Sequence, residues 1–579
     1  MTKKKVLLLT SYGPYELGFG EDMHDMFSSR LARGHGLFSL SSHCHYWGLH
    51  LIAENISHPT TVLEDPHWDE FLAELEEGYD VIGFQLKSIR TDKVAEMVRA
   101  IRARSPKSEI VMGGYGVSPL FDPVPNDPKG SAQYIVENSD HFCREEGVRF
   151  MRRLLNDEPV DRPITQYYLP LGGFSIPGLN TSRHLRTPAI LVSLGCPNAC
   201  EFCNTSAFFY HKKIYVADPG EVYDFMKNYQ RRLRSKNIIV ILFDEDLFLK
   251  PKYVRELGRL IRSDRNTWGI RYFTFASVRS ISQFEPEELR ECGVGSVWIG
   301  VESSYNEVVE DKHGYAKRSG KDMREVFEEL HRHGIQTVAS MILGFDFHTR
   351  ENIVEDIDYF VGLKPTFYQI APLTPCPGTP FYGRMVEEGR IYDDYGWKDY
   401  HIWKDDVFKI KNFERGELRN YFDLVHQKLV EENGPPLLQV LEGSLGAYET
   451  LKDSPSEFLR FQAEESKKVA HGLQAFLRPI KTMGSGEKVK QRAGELEKKY
   501  RELIGKPPFI ARQFSRLVNR RFERTAQNPP PKKVISDPPA RWTYYNHGHG
   551  STPLVRRGRR SNKVVPYKDR FFFPGLNLA

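Results

Sequence analysis

Long apolar runs are missing from this chain. The longest covers six residues, Ile238–Phe243, against the roughly 20 that a membrane-spanning helix needs. A secretory leader pattern is missing too. Met1-Thr2-Lys3-Lys4-Lys5 leads into an apolar run of only four residues, Val6–Leu9, with no small-residue cleavage site behind it. Cysteine is scarce and odd in number, seven in 579 residues, which excludes a disulfide scaffold. Neither sign of charge dominates: 81 Lys and Arg against 76 Asp and Glu leave a net charge of +5, too little to imply a nucleic-acid partner. No internal repeat is present. These absences predict a cytoplasmic globular protein without a transmembrane segment. Hydrophobic residues make up 40% of the chain, enough to build several cores.

Residues 1–155 alternate short apolar runs with helical spacings. Strands are predicted at 5–10, 60–63, 80–85, 109–112 and 134–136, and helices at 68–77, through Val94, Met97, Val98 and Ile101, and at 148–155. This alternation implies an α/β, doubly wound, Rossmann-like parallel sheet. Residues 156–187, with Pro159, Pro163, Pro170, Pro177 and Gly172-Gly173, read as an extended linker. In 188–400 the alternation restarts, with strands at 189–193, 238–243, 272–275, 296–300, 337–343 and 367–371. Six such units exceed one Rossmann half and fit a partial (β/α)6 barrel, whose chemistry sits at the carboxyl ends of its strands. Residues 401–526 read as a helical domain, with helices at 417–432, 456–477 and 487–504. Residues 527–579 hold Pro529-Pro530-Pro531 and Pro538-Pro539, and from Thr525 onward ten Lys and Arg stand against two Asp. They read as an irregular, solvated basic tail.

Three cysteines are bunched directly after the first predicted barrel strand, in Gly195-Cys196-Pro197-Asn198-Ala199-Cys200-Glu201-Phe202-Cys203-Asn204. Thiolates at Cys-x3-Cys-x2-Cys spacing in one tight loop can hold three irons of a [4Fe–4S] cluster. Zinc is the competing reading. It takes four ligands, usually from Cys-x2-Cys pairs, and no fourth Cys or His stands at such a spacing; the nearest later histidine is His211. Three protein ligands leave one metal position open, as a catalytic cluster requires. Cys143 and Cys292 read as ordinary helix cysteines. Cys376, in Thr374-Pro375-Cys376-Pro377-Gly378, lies at a strand end and reads as a small buried residue before a thiol donor.

The loop resembles the signature of the radical S-adenosylmethionine enzymes, with Phe202 as the aromatic before the last cysteine. The resemblance implies that Cys196, Cys200 and Cys203 hold the cluster. Its open iron would bind the amino and carboxylate groups of S-adenosylmethionine, and reduction would cleave the sulfonium to a 5′-deoxyadenosyl radical. It further implies an electron donor such as a flavodoxin or ferredoxin. By the same likeness Asp244 and Glu245, in Asp244-Glu245-Asp246 after the second strand, lie near the methionine amine. Arg279 and Glu302, after the third and fourth strands, lie near the carboxylate and ribose. Gly344 opens the fifth-strand loop, where relatives often carry Gly-x-Pro-Gly-Glu-Thr and this chain has Gly-Phe-Asp-Phe-His-Thr.

A doubly wound domain ahead of such a barrel resembles the cobalamin-binding subgroup, as does Pro377-Gly378-Thr379-Pro380 after the sixth strand. The likeness places Gln85, Ser88, Gly113 and Gly114 beside the cofactor's nucleotide tail. The Asp-x-His-x-x-Gly signature is only half matched by Asp22-Met23-His24, with Phe27 where its Gly belongs, so His24 reads as a packed or surface residue and not as a cobalt ligand. His43, Cys44 and His45 read as packing. The expected function is methylation of an unactivated carbon of a small or lipid-like substrate that the sequence does not identify. The alternatives are radical oxidation, cyclisation or rearrangement without methyl transfer and, in another class, a zinc-binding or electron-transfer protein.

Overall fold

The computed structural model describes residues 2–13, 34–39, 41–43, 46–121, 127, 129–169, 171–179, 181–186, 188–305, 321–401, 404, 406–528, 541–545, 554–557 and 565–566. His24, Cys44 and His45 lie outside the described residues.

The first domain is built on parallel strands in the order Thr60–Glu64, Val6–Leu9, Val81–Gln85, Glu109–Gly113 and His141–Phe142. Val6–Leu9 is buried at every position, as a central strand covered by helices on both faces must be. Leu7, Leu9 and Ile82 face a core with Met97 and Ile101 of the helix Thr91–Arg104. Val6, Leu8 and Val81 face Leu49, Ala53 and Met151 on the other side. The strand expected at 134–136 is instead part of the helix Ser131–Asn138. A three-residue apolar run cannot separate the two states. The Asp127 carboxylate accepts from the Ser131 and Ala132 amides at 2.9 and 2.7 Å, which starts a helix there.

The C-terminal region departs from the expected irregular tail. Arg541–Tyr545 is a strand, antiparallel to Thr60–Glu64, and Leu554–Arg557 and Val565–Pro566 continue the same sheet to eight strands. Trp542 enters the core beside Leu63, and Tyr545 enters the opposite one. The buried His50 ring ties the join, with Nδ1 2.9 Å from the Tyr545 hydroxyl and Nε2 3.1 Å from Glu64. The expected linker is also partly structured: Leu171–Ile176 and Thr181–Arg186 form a hairpin that pairs with Ser41–His43.

The barrel follows the expectation closely. Ala189–Leu191, Ile238–Phe243, Ile270–Ser277, Val294–Glu302, Gln336–Leu343 and Phe367–Pro372 form one parallel sheet in sequence order. Its first and last strands do not pair, so the barrel is partial. The C-terminal domain is helical as expected, but Pro436–Leu451 and Phe509–Gln527 were not anticipated. The first of these is apolar nearly all round because it is buried nearly all round, so it shows no periodic face. Among the described residues no helix is long and apolar enough to cross a membrane.

Candidate active site

The cysteine loop leaves the first barrel strand through Gly195, whose φ of +77° favours glycine. A Cβ there would lie 2.1 Å from the Lys212 carbonyl. The loop is pinned by the Ser206 hydroxyl, which donates to the Cys196 carbonyl at 2.8 Å, and by the Cys203 amide, which donates to the Cys200 carbonyl at 3.0 Å. Cys196 and Cys200 are 7% and 4% exposed, and Cys203 is half-buried and starts the helix Asn204–Phe208. Burial pushes the Cys196 thiol up to about 12, with the other two cysteines adding to the rise. The three thiols are therefore electrostatic neighbours. Among the described residues, however, no three His, Cys, Asp or Glu side chains converge as ligands of a single ion. Three thiols on one short loop are the donor set that a [4Fe–4S] cluster with three protein ligands takes.

The second-strand acids divide their work. Asp244 is buried and already committed: Lys213 Nζ lies 2.5 Å from its Oδ1 and the Ser193 hydroxyl donates to its Oδ2 at 2.6 Å. Lys213 also donates to the Asp246 carbonyl at 2.7 Å. Asp246 accepts from Ser280 and from Asn198 Nδ2. Glu245 is the acid left over, with a buried Oε2 that has no hydrogen-bond partner. Burial, and then the nearby Asp244 charge, raise its carboxyl to about 7.

Arg279 is exposed and donates to Asn198 Oδ1 at 3.2 Å, so Asn198 links Arg279 to Asp246 within the cysteine loop. Glu302 ends the fourth strand, buried and at φ +59°. The residues after it are fixed by Asp356, which accepts from the Ser303 hydroxyl at 2.6 Å and the Ser304 amide at 2.7 Å. Asp356 in turn meets His348 Nε2 at 3.1 Å, while His348 Nδ1 accepts from the Gly344 and Phe345 amides. A Cβ on Gly344 would lie 3.2 Å from both Ile410 and Leu418. The glycine thus serves packing against the C-terminal domain. Phe202 packs on the barrel core. Behind it Glu201 is buried in a pair with Arg384 at 2.6 Å, and its carbonyl accepts from the Phe381 amide at 3.0 Å. Both contacts tie the first-strand loop to the helix Pro380–Glu387, across the unpaired edge of the barrel.

The carboxyl ends of the two sheets face each other. Tyr115, from the loop after Glu109–Gly113, accepts a 3.2 Å hydrogen bond from the Thr205 hydroxyl. It packs edge-on against Phe208 at 5.3 Å. Tyr115 is 43% exposed, so it stands at the surface of this join. Burial, with the Glu245 carboxylate close by, raises its phenol. Arg144 lies 5.2 Å from the Tyr210 ring, and a Cβ on Gly378 would lie 2.9 Å from Pro119 and 3.1 Å from Ser118. Cys376 stands beside Asn204 and Cys203, its thiol pushed by burial up to about 12.

At this edge Gln85 Oε1 and Ser118 Oγ are buried without hydrogen-bond partners. These two atoms fit a polar ligand lying along the sheet. A Cβ on Gly114 would lie 2.8 Å from the Leu86 carbonyl, and one on Gly116 2.7 Å from the Ser88 amide, so both glycines allow the backbone of residues 86–88 to approach closely. Gly113 makes only ordinary contacts, and the Ser88 carbonyl accepts from the Thr91 hydroxyl at 2.6 Å. Sequence reasoning missed Tyr115, Asn198, Glu201, Lys213, His348, Asp356 and Arg384. His348 alone carried a signal, as the departure from the usual fifth-strand loop.

Residues 190–360 match the family model of the Radical SAM superfamily. The chain is 26% identical to the bacteriochlorophyllide d C-12(1)-methyltransferase of Chlorobaculum tepidum over 325 residues, 56% of this chain and 70% of that one. It is 23% identical to the bacteriochlorophyllide d C-8(2)-methyltransferase of the same organism over 370 residues, 60% and 78% of the two chains. Among solved structures, the radical S-adenosylmethionine methyltransferase TsrM from Kitasatospora setae, with cobalamin and a [4Fe–4S] cluster bound, aligns with 81% of this chain and 99% of its own. The TM-score is 0.48 and the identity 14%.

Proposed function

We propose that this chain, whose residues 190–360 match the Radical SAM superfamily, is a cobalamin-dependent radical S-adenosylmethionine enzyme that methylates a carbon atom. The observation that carries the reading is the facing of two sheet ends, tied by Tyr115 and Thr205 and by Gly378 against Ser118 and Pro119. Methylation of carbon is supported by the two pigment methyltransferases, whose names place their methyl groups on carbons of a bacteriochlorophyllide.

In this reading Cys196, Cys200 and Cys203 hold the cluster, Glu245 with Arg279 and Glu302 surround S-adenosylmethionine, and Gln85 and Ser118 contact cobalamin. Bound together, these groups supply a methyl donor and one-electron chemistry able to activate a C–H bond. The protein's part is placement. Lys213 neutralises Asp244, and Glu245 keeps a buried carboxylate oxygen without a hydrogen-bond partner. Asn198 carries the position of Asp246 to Arg279. The Asp356–His348 pair holds the segment after Glu302, and Glu201 with Arg384 clamps the cysteine loop. Tyr115 packs edge-on against Phe208 and Phe209, which are buried in the core of the first domain, so the ring is held in place at the join.

The test is anaerobic purification with iron, sulfide and cobalamin analysis, then turnover with methyl-deuterated S-adenosylmethionine and bacteriochlorophyllide d as the first probe substrate. Both S-adenosylhomocysteine and 5′-deoxyadenosine are expected, with the whole labelled methyl in the product. Formation of 5′-deoxyadenosine without S-adenosylhomocysteine or label would replace methyl transfer by radical oxidation or cyclisation.

A further inference from the structure

The helix Phe509–Gln527 closes the C-terminal domain with one face only. Val518 and Phe522 are buried, and Phe522 stacks on Phe38 at 4.8 Å and meets Phe476 edge-on at 6.0 Å. A Cβ on Gly178 would lie 2.3 Å from the Phe522 ring, so that side is closely packed. The outward side is unusual for a protein surface. Phe509, Ile510 and Leu517 are 66%, 81% and 64% exposed, the last two seven residues apart and so on one side of the helix. Arg512, Arg516, Arg520, Arg521 and Arg524 are exposed around them. A single acid, Glu523, stands in the helix, and it accepts from Asn519 at 2.6 Å. The sequence that follows has the same sign, ten Lys and Arg against two Asp from Thr525 to the last residue.

We propose that this outward face docks the protein on an anionic phospholipid bilayer. Apolar side chains along the first half of a helix, with arginines beside them, match the two halves of such a surface. Phe509, Ile510 and Leu517 would enter the boundary between headgroups and acyl chains, while the guanidiniums stay at the phosphates. A soluble anion would account for the arginines and leave the three large apolar residues exposed without purpose. An acidic protein partner or a second copy of the chain is the competing occupant. The charge is what favours the bilayer: five arginines spread around a short apolar patch suit a diffuse field of like charges better than a few paired carboxylates.

The holoprotein is sedimented with vesicles of phosphatidylcholine alone and of phosphatidylcholine with phosphatidylglycerol. Binding is expected only to the second and to weaken as salt shortens the screening length. The triple change Arg512→Gln, Arg516→Gln, Arg520→Gln is expected to weaken it about 100-fold, at about fivefold per arginine. Ile510→Ser with Leu517→Ser is expected to weaken it at least about 10-fold. All five positions are exposed, and iron content and melting temperature report whether the variants stay folded. A Leu517→Cys protein carrying an environment-sensitive fluorophore should shift to the blue when phosphatidylglycerol vesicles are added. The proposal is overturned if wild type ignores phosphatidylglycerol vesicles, if both variants bind like wild type, or if the variants change the oligomeric state and leave vesicle binding alone.

Discussion

The phenol oxygen of Tyr115 accepts a hydrogen bond from the Thr205 hydroxyl at 3.2 Å, two residues beyond the last cysteine of the loop. One bond thus joins the carboxyl edge of the doubly wound sheet to the cysteine loop of the barrel. Tyr115→Phe removes only the hydroxyl and should cost at most about 1 kcal/mol of stability. Tyr115→Ala also removes the packing on Phe208, and should separate the unfolding of the first domain from that of the barrel into two calorimetric transitions. A single unchanged transition in Tyr115→Ala would mean that the domains are held elsewhere.

Replacing Cys196, Cys200 or Cys203 by Ala should abolish the brown chromophore and reduce bound iron to near zero after anaerobic reconstitution. Cys376→Ala should keep its iron, although Cys376 stands next to Cys203. Iron and sulfide assays on the four proteins decide the ligand set, and loss of iron in Cys376→Ala would make it a fourth ligand.

His35 is buried beside Tyr368, whose hydroxyl lies 3.0 Å from Nε2, and burial followed by the His426 charge lowers its pKa to about 3. The unfolded chain binds this proton near pH 6.5, the native one only near 3. Stability should therefore fall as pH drops through that window, by up to about 1.4 kcal/mol per pH unit from this group. Urea melts between pH 4 and 7 should show a flatter slope in His35→Gln. An equal slope would assign the acid loss to other groups.

Truncation after Asn528 removes the strand Arg541–Tyr545 and leaves the edge of Thr60–Glu64 open. His50 would lose its Tyr545 partner. Hydrogen exchange should speed up along 50–64 while the barrel keeps its iron. The milder Trp542→Ala should cost about 3 kcal/mol, at the lower end for a large buried aromatic.

Some of this protein was written locally. The cysteine spacing lies within eight residues, and the six barrel strands are apolar runs between helices of clear 3.6-residue period. The order of the barrel strands follows from those patterns because parallel strands linked by helices have few ways to pack. What tertiary structure alone decided was which distant residues meet. Between prolines before it and glycines after it, the β-favouring run Trp542-Thr543-Tyr544-Tyr545 is too short to fix a strand by itself. It becomes a strand because Thr60–Glu64, far away in sequence, offers an open edge and two cores for Trp542 and Tyr545. Gly114 and Gly116 look alike in sequence whether they admit a cofactor or a neighbouring loop. Only the folded chain puts the backbone of residues 86–88 against them. The same holds for Lys213 on Asp244, Arg384 on Glu201 and Tyr115 on Thr205. Local periodicity reports what a residue's own neighbours bury, while the charges and hydroxyls that shape this site are placed by contacts between separate elements, which no local pattern encodes.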